Sequence, residues 1–97
     1  MTAERDDIVV SYLEWDDQSV EHIARHGVSP EDVEFALADQ PLFFRNAPGR
    51  AATHVMIGQD AQGRILYVPI LLVRWPDVWR VISAWESRVA RRLYPAP

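Results

Sequence analysis

Four side chains in the sequence are of types suited to proton transfer or to holding a phosphate: His54, Arg64, Arg80 and Glu86. Imidazole and carboxylate groups take or give protons, and the planar fork of arginine matches phosphate oxygens. Arg64 and Arg80 lie at or near the start of predicted strands. On an antiparallel sheet, they either meet and clamp a phosphate or are ordinary solvated strand ends. These four residues are the candidate catalytic residues.

His54 and Glu86 each allow a second interpretation. His54 lies among small and apolar residues of a predicted strand, where it is either a general base or a hydrogen-bonded sheet residue. Glu86 follows the last predicted strand and begins the last predicted helix. The helix dipole favours a negative charge at that position whether or not the carboxylate acts as a base.

The charges divide the chain into two halves. Residues 1–45 carry eleven acidic residues against three arginines, whereas residues 46–97 carry seven arginines against three acidic residues. All ten basic residues are arginine, a preference that GC-rich coding would also produce. The division predicts an acidic helical face and a basic face formed by the sheet and the tail.

Length and composition limit the fold and the chemistry. Ninety-seven residues suffice for a single domain, 1–97, in which 1–7 form a flexible tail and 8–94 the folded part. The absence of cysteine excludes a disulfide scaffold, a thiolate nucleophile and a cysteine-based zinc site. The acidic start and the short apolar run 65–73 predict neither a secretory signal nor a membrane span, so we expect a cytoplasmic protein.

The spacing of His22 and His26, four residues apart on a predicted helix, can bind zinc. No third ligand follows the pattern of a metalloprotease, so we expect these histidines to serve packing and the following turn. We expect no metal and no cofactor.

Local signals position these residues on an α+β fold. The predicted elements are a strand at 8–15, helices at 18–25 and from 30 to about 40, strands at 42–45, 53–59, 64–74 and 78–85, and a helix at 87–94. Ser29 is a strong N-cap, Pro30 suits the first helical position, and Asp32 can close a capping box. Pro69 predicts a bulge or an edge within its strand. We expect N-terminal helices packed on a three- to five-stranded antiparallel sheet, with a short C-terminal helix.

Several short runs resemble the BrnT family of toxins. They are Trp15-Asp16, the run from His22 to Glu34, Ile57-Gly58, Gly63-Arg64-Ile65-Leu66, the run from Arg80 to Ala84, and Arg91 with Tyr94. The resemblance extends over residues 13–94. Its most specific part combines the tryptophan–aspartate pair with the histidine–glycine–valine–serine run.

The resemblance implies a metal-independent endoribonuclease of a type II toxin–antitoxin system, with a fold akin to the RelE-type ribonucleases. Its partners would be RNA and an antitoxin protein, with a homodimer as a further possibility and no membrane. In such an enzyme Arg64 and Arg80 would bind phosphate, with His54 or Glu86 as the proton-transfer group. The candidate RNA-binding residues are Arg50, Arg88, Arg91 and Arg92. The last three alternatively contact an acidic antitoxin segment or form a solvated face.

Some polar positions of the family are changed in this sequence. Thr53 and Trp85 stand where many members have arginine, and Ala90 stands where many have glutamate. These changes motivate an alternative function, a catalytically inactive binding module that pairs with an antitoxin or with itself. Trp75, Trp79 and Trp85 are close in sequence and either pack in the core or form an exposed patch that stacks on bases or anchors a partner.

Overall fold

The computed structural model describes residues 4–95. In chain order the elements are β1 (Glu4–Arg5), β2 (Tyr12–Glu14), α1 (Asp17–Ala24), α2 (Pro30–Ala38), β3 (Leu42–Arg45), β4 (His54–Gln59), β5 (Ile65–Arg74), β6 (Val78–Val81), β7 (Trp85–Glu86) and α3 (Arg88–Leu93). The α+β class is confirmed. The element order differs from the prediction, because two strands precede α1 and five, rather than three or four, separate α2 from α3.

Both N-terminal helices begin at reciprocal capping boxes. The Ser29 hydroxyl accepts from the backbone N–H of Asp32, and the Asp32 carboxylate accepts from the backbone N–H of Ser29. Asp16 and Ser19 form the same arrangement at α1. The predicted start of α2 at Pro30 is therefore confirmed, and the cap satisfies backbone donors that the first turn leaves free.

The seven strands form one sheet in the order β1-β3-β4-β5-β6-β2, with β7 pairing beside β6 on the same edge of β5. Pairs among β3, β4, β5 and β6 are antiparallel, as predicted. The prediction of a fully antiparallel sheet is wrong for one pair of strands, because β2 runs parallel to β6. The predicted strand at 8–15 shortens to β2, and the strand count exceeds the expected three to five.

The predicted strand at 78–85 is two strands, β6 and β7, separated by residues 82–84. Pro69 of β5 lies opposite this interruption, since its carbonyl accepts from the backbone N–H of Ile82. The N–H and C=O of a strand residue point to the same side, so the donor that proline lacks faces the gap between the strands. Pro69 thus marks an interrupted pairing, and the register shift of β5 occurs further along, between Leu72 and Arg74.

Helices cover the sheet on both faces. Ile23 of α1 and Val33 of α2 pack against Met56 and Val68 on one face, and Ala90 of α3 packs with Val55 on the other. The approach of α2 to β4 is close, because a Cβ at Gly58 would lie 3.1 Å from the carbonyl oxygen of Ala36. Among residues 4–95, no helix is long and apolar enough to cross a bilayer.

The predicted flexible tail at 1–7 needs correction. Residues 1–3 lie outside the described residues, but Glu4 and Arg5 pair with β3 as a sheet strand. Asp6 is held as well, because its backbone N–H donates to the carbonyl of Phe43 and its carboxylate contacts His54. The ordered sheet therefore includes part of the segment that composition alone marked as a tail.

Candidate functional site

A cleft of about 600 Å³ lies beside the interruption between β6 and β7. Its charged and imidazole lining comes from three separate parts of the chain: His22 of α1 and His26 of the turn that follows it, Arg50 of the loop before β4, and Glu86 of β7. We call it the Glu86 cleft. It brings a carboxylate, two imidazoles and a guanidinium to one surface, a set of groups that can transfer protons and stabilise an anion.

Apart from Ser83, the rest of the wall is apolar. Ala52, Pro69, Ile82 and Trp85 contribute to it, and the Trp85 ring stacks on Tyr67 with centroids 4.9 Å apart. Tyr67 and Trp85 are direct partners in the β5–β7 register, so strand pairing fixes this stack. The His26 ring lies near Trp85, with ring centroids 6.1 Å apart and the two planes inclined by 51°.

One buried polar group in the cleft is left without a hydrogen bond. Ser83 lines the cleft and is 7% exposed, and its Oγ has no hydrogen-bond partner among residues 4–95. Buried hydroxyls are almost always hydrogen-bonded, because an unmade bond leaves the cost of desolvation uncompensated. An unsatisfied hydroxyl in the wall of a cleft is thus a feature that requires an explanation.

A second, smaller groove of about 360 Å³ adjoins the cleft through Glu86. It is lined by Glu86, Ser87, Arg88 and Arg91, and we call it the Arg91 groove. Arg88, Arg91 and Arg92 are exposed on α3, where their spacing puts them on one side of the helix, and within the described residues none of them forms a salt bridge. Two of the four predicted RNA-binding arginines therefore line a groove that leads from the cleft, and Arg50 lines the cleft itself.

Arg64 is engaged within the protein. Its Nε donates to Oδ2 of Asp60 at 2.7 Å, Nη1 to the carbonyl of Gly27 at 2.9 Å, and Nη2 to Oδ2 of Asp32 at 3.1 Å. We call these four residues the Arg64 network. The hydrogen bond to Asp60 is the main reason that the pKa of Arg64 is raised, with smaller contributions from Asp32 and Glu86. The network fastens the turn between α1 and α2 to the β4–β5 hairpin.

Arg64 and Arg80 do not form the shared clamp expected from the sequence. Arg80 is paired with Leu71 of β5, seven residues along from Arg64, which corresponds to roughly 20 Å along an extended strand. The Nε of Arg80 donates to Glu14 at 2.9 Å, and the two residues are direct partners in the β2–β6 register. Two ion pairs, Arg64–Asp32 and Arg80–Glu14, thus join the acidic and basic halves that the charge pattern predicted as separate faces.

His54 lies outside the Glu86 cleft. Its Nε2 is 2.8 Å from Oδ2 of Asp6, its Nδ1 is 2.9 Å from the Thr53 hydroxyl, and its ring meets Trp79 edge-on at 5.0 Å. These contacts agree with the second interpretation of His54 given above, a hydrogen-bonded residue of the sheet rather than a general base. The hydrogen bond from His54 is the main cause that lowers the pKa of Asp6, followed by attraction to Arg45.

Sequence reasoning missed His22 of α1 and His26 of the following turn as site residues. His22 and His26 were expected to serve packing and the turn, but both side chains are exposed and line the cleft. Their spacing of four residues predicts that they lie on one side of the predicted helix and its end, and that signal is present in the sequence. In residues 4–95 no group of three or more His, Asp or Glu side chains has an arrangement that could hold a metal ion.

The three neighbouring tryptophans have separate environments. Trp79 is in the core, where its Nε1 donates to the carbonyl of Val9. Trp75 is 82% exposed on the turn before β6, and Trp85 lines the cleft. The predicted tryptophan patch is therefore not a single surface.

Comparison of the chain with protein-family models, with curated proteins and with solved structures gives no match. The resemblance to BrnT toxins thus rests on the residues quoted above. Several of these residues have structural roles in the fold. Asp16, Ser29 and Asp32 cap helices, the indole of Trp15 donates to Glu34, and the Tyr94 hydroxyl donates to the carbonyl of Asp39.

Proposed function

We propose that this protein is an endoribonuclease of the BrnT toxin kind, acting in the cytoplasm without a metal and working in the Glu86 cleft. The observation that carries this proposal is the meeting of Glu86, Arg50 and two histidines in one cleft. The residues that the sequence made equally plausible, Arg64 and Arg80, are instead paired with carboxylates.

The chemistry requires a base, an acid and a group that stabilises the phosphate. Glu86 takes the proton from the 2′-hydroxyl, and the 2′-oxygen attacks the phosphorus. The bond to the 5′-oxygen breaks, and His26 gives that oxygen a proton. Arg50 stabilises the negative charge that builds on the phosphate oxygens. The products are a 2′,3′-cyclic phosphate and a 5′-hydroxyl.

The Arg91 groove gives the chain of phosphates a path to the reacting groups. Arg88 and Arg91 line it, and Glu86 belongs to both the groove and the cleft. Phosphates bound by these arginines place the next ribose near the proposed base. Binding through several phosphate contacts weakens steeply as salt concentration rises.

The experiment uses purified protein with end-labelled single-stranded RNA and, in parallel, with translating ribosomes, in buffer containing EDTA. We expect cleavage with cyclic phosphate ends, and we expect Glu86→Gln to reduce the rate by about 10²-fold or more. Glu21→Gln is the matched control, because Glu21 is an exposed carboxylate on α1 that does not line the cleft. If the wild type cuts neither substrate, or if Glu86→Gln cuts as fast as the wild type, the proposal is wrong.

A second candidate function, a binding module that pairs with an antitoxin or with itself, is favoured by a different observation. The apolar side chains of Val9 and Tyr12 are exposed at and beside β2, the last strand on one side of the sheet. Exposed apolar groups beside a sheet edge are typical of surfaces that associate. Light scattering of the protein alone and with the product of the neighbouring gene tests this function. A monomer under both conditions would exclude it, whereas Tyr12→Lys should weaken a complex that forms through this edge.

A further inference from the structure

The Glu86 cleft contains two features that proton transfer and phosphate binding do not use. One is its apolar wall, formed by Trp85, Ile82, Pro69 and Ala52. The other is the buried Ser83 hydroxyl without a hydrogen-bond partner in the described chain. A phosphate gains nothing from an apolar wall, whereas the flat face of a nucleobase does.

We propose that the Glu86 cleft is a subsite for one unstacked nucleobase of a single-stranded RNA, which stacks on Trp85 while its edge hydrogen-bonds to the Ser83 hydroxyl. This inference rests on the proposed function, because it names the part of the substrate that enters the same cleft. It goes beyond that function by assigning recognition of a base to two residues with no role in the cleavage steps.

The Trp85 ring is well prepared for stacking. Tyr67 stacks on it at a centroid distance of 4.9 Å and an interplanar angle of 29°, and the β5–β7 pairing holds both rings. A platform that is already fixed loses little freedom when a base binds. With Tyr67 on one side, the surface of Trp85 that lines the cleft is available to the ligand.

Ser83 supplies a group that can distinguish bases by their edges. A hydroxyl both donates and accepts, and no partner in the described chain fixes the direction of this one. In the free protein Oγ itself has almost no accessible surface. A rotation about the Cα–Cβ bond of Ser83, which lines the cleft, turns the hydroxyl to the polar edge of a ring bound there. The neighbouring Arg91 groove then receives the phosphates, so one nucleotide spans the two surfaces at Glu86.

The test measures binding separately from cleavage. Labelled 2′-O-methyl hexamers of adenine, uracil or cytosine cannot be cleaved by 2′-oxygen attack, and an abasic site is moved through each of their positions. Fluorescence anisotropy gives the affinities for the wild type and for Trp85→Leu, Trp85→Phe and Ser83→Ala. Trp75→Leu is the matched control, because Trp75 is exposed on a turn and does not line the cleft.

We expect Trp85→Leu to weaken binding about 10-fold or more and Trp85→Phe to weaken it less, since a phenyl ring still stacks. In the wild type, an abasic site at one position of the hexamer should weaken binding by a similar factor. In Trp85→Leu, the same abasic site should leave the affinity almost unchanged. Ser83→Ala should make the affinities for the three hexamers more alike. Unchanged binding by folded Trp85→Leu, equal costs of every abasic position in both proteins, or no binding of any hexamer would overturn the subsite.

The outcomes also separate this inference from the proposed function. If binding depends on the base but unmodified RNA is not cleaved, the base-binding subsite is supported and the endoribonuclease function is wrong. If cleavage requires Glu86 but the binding affinities are the same with and without an abasic site, the base-binding subsite is wrong and the endoribonuclease function is supported. If Trp85→Leu does not fold, as judged by circular dichroism, the abasic scan with the wild type and Ser83→Ala still decides the question.

Discussion

The Glu86 cleft and the Arg64 network are neighbouring regions that use the same residue types in opposite ways. In the network, Arg64 has three partners, and the Asp60 side chain is 0% exposed. In the cleft, Arg50 and Glu86 are exposed and form no salt bridge within residues 4–95. An arginine whose donors are already used stabilises the fold, whereas an exposed arginine without a carboxylate partner is available to a ligand.

This difference changes which arginines are expected to bind RNA. A sequence pattern shows the residue type and its place in a strand, and by that criterion Arg64 and Arg80 are better candidates than Arg50. The structure reveals the carboxylates that occupy them, Asp60 and Asp32 for Arg64 and Glu14 for Arg80. Substitutions that remove one arginine at a time should therefore separate stability from activity.

The largest effect on stability is expected from Arg64→Ala. The substitution leaves the buried Asp60 carboxylate without its charged partner and removes the donor to the Gly27 carbonyl. Breaking a buried pair typically costs about 3–5 kcal/mol, and because Arg64 is itself 21% exposed we expect about 2–3 kcal/mol. Urea unfolding followed by circular dichroism measures the change.

Two other variants sharpen that result. Arg64→Lys keeps the charge but not the fork, so its stability should fall between those of the wild type and Arg64→Ala. Arg50→Ala should change the free energy of unfolding by less than about 0.5 kcal/mol, as is usual for an exposed loop residue. Equal losses from Arg64→Ala and Arg50→Ala would show that the comparison between network and cleft is mistaken.

The next effect concerns activity and uses Arg50 and Arg80. If the proposed function holds, Arg50→Ala should slow RNA cleavage by about 10²-fold, since a preorganised donor to the developing anion is lost. Arg80→Ala should stay within a few-fold of the wild type, because the Arg80 guanidinium is engaged with Glu14 and Arg80 does not line the cleft. Single-turnover cleavage of one labelled RNA under fixed salt gives both rates. A greater loss in Arg80→Ala would restore the assignment made from the sequence.

Local chemistry explains how much of the fold was predictable. The capping box of Ser29 and Asp32 and the strand at Leu42–Arg45 depend on neighbouring residues, and their predicted positions are confirmed. The parallel pairing of β2 with β6 joins Glu14 to Arg80, which are far apart in sequence, so no local pattern indicates it. From the sequence alone, Glu14 and Arg80 are two unrelated charged residues on separate predicted strands, and only the topology shows that they are partners.

The candidate site was less predictable for the same reason. His22, Arg50 and Glu86 come from a helix, a loop and a strand that meet only in the folded chain. Residue type alone identifies Glu86 and Arg50 as candidates. The spacing of His22 and His26 is that of a zinc motif, and because no third ligand follows, it predicts packing rather than a place in the site. The interruption at residues 82–84, which contributes Ile82 and Ser83 to the cleft, has no glycine or proline to mark it in a run that is mostly apolar and β-prone.

A smaller effect is expected at Asp6, which ties the N-terminal segment to β4. The hydrogen bond from His54 holds the folded pKa of Asp6 below its ordinary value of 3.8. The ionised carboxylate therefore contributes stability above that pH, and the contribution is lost as the pH falls through the folded pKa. The difference in unfolding free energy between the wild type and Asp6→Asn should be present at pH 6 and shrink at pH 2.5. Asp7→Asn is the control, because the Asp7 side chain is 96% exposed. A stability difference for Asp6→Asn that does not depend on pH would show that the ionised Asp6 carboxylate does not stabilise the fold through His54.

The smallest effect is expected from Ser83→Ala, and its sign is informative. Ser83 Oγ is buried and has no hydrogen-bond partner in the described chain, so removing it takes away a desolvated polar group at nearly constant shape. We expect the free energy of unfolding to be unchanged or to rise by up to about 1 kcal/mol. Ser87→Ala is the contrasting serine variant, because Ser87 caps α3 by accepting from the Ala90 N–H and its loss should cost about 1 kcal/mol. A clear loss of stability in Ser83→Ala would mean that the hydroxyl is already satisfied in the free protein and is not available to recognise a base.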